Sequence, residues 1–434
     1  MPANYLRMDY INKKAPKGCL HLKIQKSSVI LFLLFLTMLA SLGFGRFSLG
    51  AILPFMKDGI GLDYRQIGFV ASAAFIGYLI SVAVVGYFVV KIGAKVVINV
   101  SLTIIIVGML INANAANFFV AVVGVLLLGI GSGGSSIPAM GLAGSWFSNK
   151  NKGMAIGIAM GGLGVGMVIS GILVPQIVRE SPEGWRDSWY ILAGITSLFI
   201  LINGLFLKNA PALKHQVQPP INNDRSLDMN STPSIYRNKK VWTIGFIYLT
   251  WGFSYLVFST FLVDYLMFDL GYSKERSGLY FSIAGALSIA SGFIWGTISD
   301  KLGRMYALSA VLLIQFTMLI ALSISISPLL VAIEVGIYGL TLWAVPTIMN
   351  AAVADFVSPK AVPIAMGFVT IFFSVGQIIS PLATGVIIEM TNQYFGALIL
   401  SAFVSLIGGM ACMKMHQLQR KKDVYSFKQE KAHL

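Results

Sequence analysis

Arg46 stands inside a long apolar run, at Gly45-Arg46-Phe47, where an uncompensated cation costs on the order of a few kcal/mol. It therefore needs an anion, supplied by solution or by the chain. Counted back from Phe55, it lies about nine residues, or about 13 Å, inside the run. Glu334 is the corresponding anion, about five residues or about 8 Å inside a second run from the same side. Two readings stay open. Either Arg46 receives the carboxylate of an anionic substrate while Glu334 exchanges a proton, or the two form a fixed pair or reach separately to the surface. Tyr248, Trp251 and Tyr255 recur at intervals of three and four, so they share one helical face. With Trp343 they could form an aromatic wall for a small organic molecule, although such stripes also serve packing and membrane interfaces. Gln377, before Ser380-Pro381, is a further polar group in an apolar run, suited to a ligand or to a helix–helix hydrogen bond.

Other tempting groups carry no chemistry. Gly129-x-Gly131 and Gly162-x-Gly164-x-Gly166 look like nucleotide loops but lie within apolar runs and follow no strand, which suits close helix packing. All four histidines, His21, His215, His416 and His433, fall in the ends or in a central polar stretch. No metal, cofactor or catalytic base is expected in the apolar part, and no enzyme is visible. Cys19 and Cys412 sit near opposite ends and give no disulfide framework. Asn230-Ser-Thr232 matches a glycosylation acceptor but falls on the side expected to be cytoplasmic.

The elements that position these residues follow from composition. The chain is 56% hydrophobic and 11% charged, with mean hydropathy +0.78, far from the roughly one-quarter charged average of soluble proteins. Twelve apolar runs each approach the ~20 residues that cross a bilayer, and in lipid such runs must be helices. The fourth, with Gly129 to Pro138, is expected to be bent or locally irregular. The fold class is an all-α membrane protein of twelve transmembrane helices. The net charge of +15 resides in the ends and in short segments between runs, which marks topology and not a nucleic-acid surface. Most Lys and Arg fall in the ends and the even-numbered loops, whereas Lys57, Arg65, Arg179, Arg186, Lys274 and Arg276 stand on the other side. Both termini are therefore expected in the cytoplasm.

A repeat divides the chain. Gly61 and Gly271, Gly68 and Gly278, Ser72 and Ser282, Gly86 and Gly296, Ala155 and Ala365, and Gly157 and Gly367 are each 210 positions apart. The expected organisation is a basic tail at 1–27, six helices at 28–208, a linker at 209–240, six helices at 241–415, and a basic tail at 416–434. Within the repeat lies a charged turn, Gly296 to Arg304, containing Asp300, Lys301 and Gly303. Its first copy keeps Gly86, Lys91 and Gly93 but has Val90 and Ala94 in place of the acid and the arginine.

Gly-x-x-x-Asp-Lys-x-Gly-Arg between the second and third helices of a half, with 6+6 helices and a long central loop, resembles the major facilitator superfamily over about residues 28 to 415. The resemblance implies two pseudo-symmetric six-helix bundles rocking about a central site, with helices one, four, seven and ten lining the cavity. It also implies that the turn braces one bundle against the other in the outward-open state. Physically, Asp300 can accept from free N–H groups at a neighbouring helix start while Arg304 and Lys301 hold its charge. Val125 to Gly131 lacks the arginine of drug/proton antiporters, and Gly157 to Gly166 lacks their proline. The segment Trp146 to Gly157, followed by Gly184-Trp185-Arg186, is similar to the monocarboxylate and oxalate/formate porters. Gly45-Arg46-Phe47, Leu53-Pro54-Phe55-Met56 and Gly77-Tyr78-Leu79 are similar to permeases of the YbfB/YjiJ type.

These residues suggest a monomeric secondary transporter of a bacterial inner membrane, moving a small organic anion, a carboxylate in particular, as a proton symporter or an anion exchanger. An exporter of drugs or sugars, and a membrane sensor that no longer transports, are the alternatives.

Overall fold

The computed structural model describes residues 17–147, 152–181, 183–209, 236–357 and 361–432. All twelve apolar runs are helices, and no strand occurs among the described residues. The spans are α1 (Ser27–Ile60), α2 (Tyr64–Ile92), α3 (Ala94–Ala113), α4 (Phe118–Trp146), α5 (Gly153–Glu180) and α6 (Gly184–Phe206) in the first half. The second half has α7 (Lys239–Phe268), α8 (Lys274–Leu302), α9 (Arg304–Ile324), α10 (Pro328–Phe356), α11 (Ile364–Thr391) and α12 (Phe395–Arg420). The helix containing α1 already begins at Lys17, and the one containing α12 runs on to Ala432. Parts of both basic ends are thus helical extensions of spans. Asn230 to Thr232, Lys150 and most of the 209–240 linker lie outside the described residues.

The repeat is written into the backbone as well as the sequence. Among the described residues the glycines at positive φ are Gly61 and Gly93 in one half and Gly271 and Gly303 in the other, two pairs again 210 apart. The first of each pair ends a short loop; the second turns the chain between the second and third helices of its half. Ser72 Oγ on α2 donates to the Ile378 carbonyl on α11 at 2.8 Å. Its repeat mate Ser282 on α8 donates to the Val168 carbonyl on α5 at 3.1 Å. Donors and acceptors alike are repeat mates, so the halves meet across a pseudo-twofold axis.

The halves touch most closely away from the face that carries the termini. There Gly50 of α1 approaches the backbone of Ser259 on α7, Gly68 of α2 that of Pro381 on α11, and Gly171 of α5 that of Gly278 on α8. A Cβ at Gly50 or Gly68 would lie 2.5 Å from a carbonyl oxygen of the other half, inside contact distance, so only glycine allows this approach. Towards the terminal face, Gly86, Gly157 and Gly367 have open space beside them. The structure is therefore sealed opposite the termini and open on their side.

Two helices depart from regularity, and neither is α4. Despite Gly129 to Pro138, α4 is one continuous helix; its glycines instead admit the backbones of Ala74 on α2 and Ser101 on α3. In α1 the stretch Leu39–Phe47 is π-helical. A Cβ at Gly43 would lie 3.0 Å from Gly166 Cα on α5, and Ser132 of α4 donates to the Ser41 carbonyl at 2.7 Å. The widened turns are thus held by neighbours on two sides. In α10 the helix breaks between Thr341 and Ala344, because Pro346 has no N–H to offer the carbonyl four residues earlier. Short π segments and broken membrane helices recur at functional sites.

Candidate substrate site at the junction of the halves

Arg46 sits on the π-helical stretch of α1 and is only 9% exposed. Among the described residues no carboxylate lies within 4.0 Å of it. Its Nη2 donates to Tyr255 Oη of α7 at 3.1 Å, while its Nε is buried with no partner. Three rings surround the guanidinium carbon, Phe75 at 4.4 Å, Tyr78 at 5.0 Å and Phe47 at 5.8 Å from their centroids. Ring faces favour a cation by roughly 0.5–2 kcal/mol each. They lower the penalty of burial without neutralising the charge, so the cation remains able to bind an anion.

The second half supplies a wall. Tyr248, Trp251 and Tyr255 of α7 stack nearly parallel with Phe373 of α11, Tyr248–Phe373 at 4.5 Å and Trp251–Tyr255 at 4.4 Å between centroids. Gly252 lets α11 close on α7 here, since a Cβ would meet Phe373. Trp343, at the break in α10, stands edge-on to both Tyr255 and Phe47. Its position is fixed by Nε1 donating to Ser288 Oγ and its backbone N–H to Ser291 Oγ of α8, both at 3.2 Å. Gln377 of α11 donates through Nε2 to Tyr255 Oη. One phenol oxygen thus receives hydrogen bonds from both halves of the molecule.

Of the residues singled out in the sequence, Arg46, Tyr248, Trp251, Tyr255, Trp343 and Gln377 converge. Glu334 does not. It is buried near the start of α10, where Oε1 accepts from Ser325 Oγ at 2.5 Å, so the fixed-pair reading with Arg46 fails. Phe47, Phe75, Tyr78 and Phe373 belong to the cluster and were not singled out as site residues. The spacing of Phe75 and Tyr78, and of Phe373 and Gln377, would have placed each pair on one helical face. Three buried polar atoms of the cluster have no partner: Arg46 Nε, Trp251 Nε1 and Gln377 Oε1. Leaving such groups unmet costs about 1–3 kcal/mol each. A ligand offering acceptors to the first two and a donor to the third would relieve that cost.

The charged turns lie on the open face. Arg304 pairs with Asp300 and lies 3.7 Å from Asp355 of α10, and it donates to Ser299 Oγ at 2.7 Å. All of these belong to its own half. Asp300 does not reach across the halves in this conformation, because the terminal face is parted. Lys301 is exposed, and Gly303 makes the turn at φ +92°. In the first copy, Gly93 makes the same turn and Lys91 lies over the Tyr87 ring. The place of the missing charges is taken by Asn209, whose Oδ1 accepts from the Lys95 N–H at 2.9 Å.

Two pseudo-symmetric bundles around a buried central cation define a membrane transporter fold. Residues 33–350 match the Major Facilitator Superfamily, and residues 269–434 match the MFS_1 like family. The chain belongs to the Major Facilitator Superfamily. It is 25% identical over 404 residues to a hexuronate transporter of Bacillus subtilis (strain 168), covering 90% of this chain and 94% of that one. It is 24% identical over 303 residues to monocarboxylate transporter 12 of Xenopus laevis, covering 64% of each. Among solved structures, a bacterial homologue of the human lysosomal transporter Spinster, inward-facing and unoccupied, superposes with TM-score 0.73. It shares 16% identity, covering 89% of this chain and 96% of that one.

Proposed function

We propose that this transporter carries a small organic anion, a carboxylate, at the Arg46 cluster by alternating access, driven by protons or by exchange for a second anion. The observation that carries the reading is the buried Arg46 guanidinium, without a carboxylate partner and with its Nε free, at the meeting of α1, α2 and α7. An arriving carboxylate would take the Nε and one Nη as a two-pronged acceptor, while its carbon body lies against the Trp251–Tyr255–Phe373 stack. The two relatives with carboxylate substrates in their names, a hexuronate and a monocarboxylate transporter, support the substrate class. The basic ends and loops place both termini in the cytoplasm of a bacterial inner membrane, which makes the present conformation inward-open. The bundles at 28–208 and 241–415 would be the rocking bodies, in a monomer.

The test is uptake of labelled lactate, glucuronate and a benzoate into proteoliposomes, with and without a proton gradient. Arg46→Gln is expected to abolish uptake of every anion that the wild type carries. Undiminished uptake by Arg46→Gln would remove the anion site. The aromatic stack also favours a second reading, export of an uncharged or amphipathic molecule. Efflux of such a compound that survives Arg46→Gln and fails in Trp251→Ala would establish it instead.

A further inference from the structure

A second buried charge lies outside the central cluster. Asp264 of α7 is 7% exposed and nine residues beyond Tyr255 towards the sealed face. Tyr394, at the start of α12, donates its hydroxyl to Asp264 Oδ2 and its backbone N–H to Asp269 Oδ2 at 2.8 Å. The other contributors come from the first half. The Tyr64 hydroxyl of α2 lies within hydrogen-bonding reach of Asp264. It accepts from Lys57 Nζ of α1 at 2.9 Å, and Lys57 also lies over the Tyr64 ring. Lys57 is 15% exposed and 3.6 Å from Asp58, which is open to water. From α11, Glu389 accepts from the Tyr64 N–H at 3.1 Å; Glu334 of α10 faces Tyr265, one residue along α7. The chain Lys57–Tyr64–Asp264–Tyr394 therefore ties the first half to the second beside the glycine contacts that form the seal.

We propose that Asp264 is a proton-binding site whose protonation releases this seal. An ionised Asp264 attracts Lys57 through Tyr64 and holds the halves together. When the face opens, Lys57 and Tyr64 leave with the first half, and the carboxylate keeps Tyr394 alone in an apolar setting. A carboxylate deprived of its cation there is better neutral, so opening takes up one proton from the water on that face and closing returns it. Protonation and opening are then linked in both directions. The device governs when that face opens and rests on the alternating-access reading only in requiring that it does.

The experiment is a distance measurement across the seal, without substrate or flux, so its outcome is separate from that of the carboxylate assay. Cys19 and Cys412 are changed to Ala, and spin labels are placed at the exposed Arg65 and Gln393 in the full chain in nanodiscs. Between about pH 7.5 and about pH 5.5 the long-distance fraction is expected to rise roughly threefold, a modest population shift. Asp264→Asn should give the long distance at both pH values, and Asp264→Glu should keep the response with a displaced midpoint. If Asp264→Asn does not fold, Lys57→Gln provides the second arm, with more of the long distance at neutral pH and a weaker response. A wild type that ignores pH overturns the proposal. So does either variant that responds like the wild type, and so does an Asp264→Asn that stays short throughout.

Discussion

The two halves share a skeleton and divide the chemistry. Gly61 and Gly271, Gly93 and Gly303, and the Ser72 and Ser282 hydrogen bonds show one fold drawn twice. Yet the cation and its ring cage come from α1 and α2, whereas the stacked wall and the amide come from α7 and α11. The irregular elements are divided too. The first half distorts its first helix, at Leu39–Phe47, and the second its fourth, at Leu342 and Trp343. Duplication supplies a closing geometry that works identically on both sides of the axis. A site built across that axis, in contrast, gains by asymmetry, because a substrate with one charged end and one apolar end needs different walls.

The largest effect expected from breaking this division is at Arg46. Arg46→Gln removes the charge and should weaken anion binding on the order of 10- to 100-fold, the range for a hydrogen-bonded charged partner, read as Kd by calorimetry on purified protein. Arg46→Lys should recover only part of that, since a point charge cannot hold Tyr255 and grip a carboxylate with two N–H groups. Wild-type affinity in Arg46→Gln would mean that the halves do not divide the work as described.

Next in size is the symmetric seal. Gly68→Ala puts a Cβ 2.5 Å from the Pro381 carbonyl and should shift the population towards the state closed at the terminal face. Gly86→Ala, on the open side with nothing within 4 Å, should leave this conformation unchanged. Cysteine accessibility from the two faces separates these outcomes; the same accessibility pattern in both variants would break the assignment of the sealed face. A smaller effect is expected from Tyr255→Phe, which removes the shared acceptor of Arg46 and Gln377. A neutral hydrogen bond contributes about 1 kcal/mol, so Kd should rise by roughly fivefold, and unchanged Kd would show that the phenol does not orient the cation.

How much of this is legible in the sequence depends on which coordinate the sequence carries. Apolar run length gives the twelve helices directly, because lipid leaves no other way to satisfy the backbone. Arg46 stands out as a charge among apolar residues, and the α7 stripe as spacing. Depth along a helix can be counted, but the direction around the helix relative to a distant partner cannot. That is why Glu334, at a plausible depth, turns out to face Ser325. Asp264 went unremarked for a related reason: its significance comes from Lys57, Tyr64 and Tyr394, contributed by three other helices. The π-helical stretch has no local signature at all, since Gly43 and Gly45 become informative only once α3, α4 and α5 press on them. In α4 a similar run of glycines stays regular.

The smallest expected effect in this conformation concerns the turns, where the repeat has drifted furthest. The second turn is held by charge, Arg304 with Asp300 and Asp355, and the first by the Asn209 amide. The Arg304 and Asp300 side chains are 27% and 64% exposed, and pairs so open to water contribute about 0–1 kcal/mol. Asp300→Asn should therefore move the melting temperature by no more than about two degrees, since Asp355 and Ser299 still hold Arg304. Transport is a harder test than stability, because the terminal face must close in every cycle and Asp300 is then placed to meet the start of a helix in the other half. A several-fold fall in uptake at unchanged melting temperature is the result expected of Asp300→Asn. Val90→Asp, at a position 89% exposed, should leave both measurements near wild type. Equal uptake in the two variants would reduce the charged turn to an anchor of topology, and would make the two halves alike on this face after all.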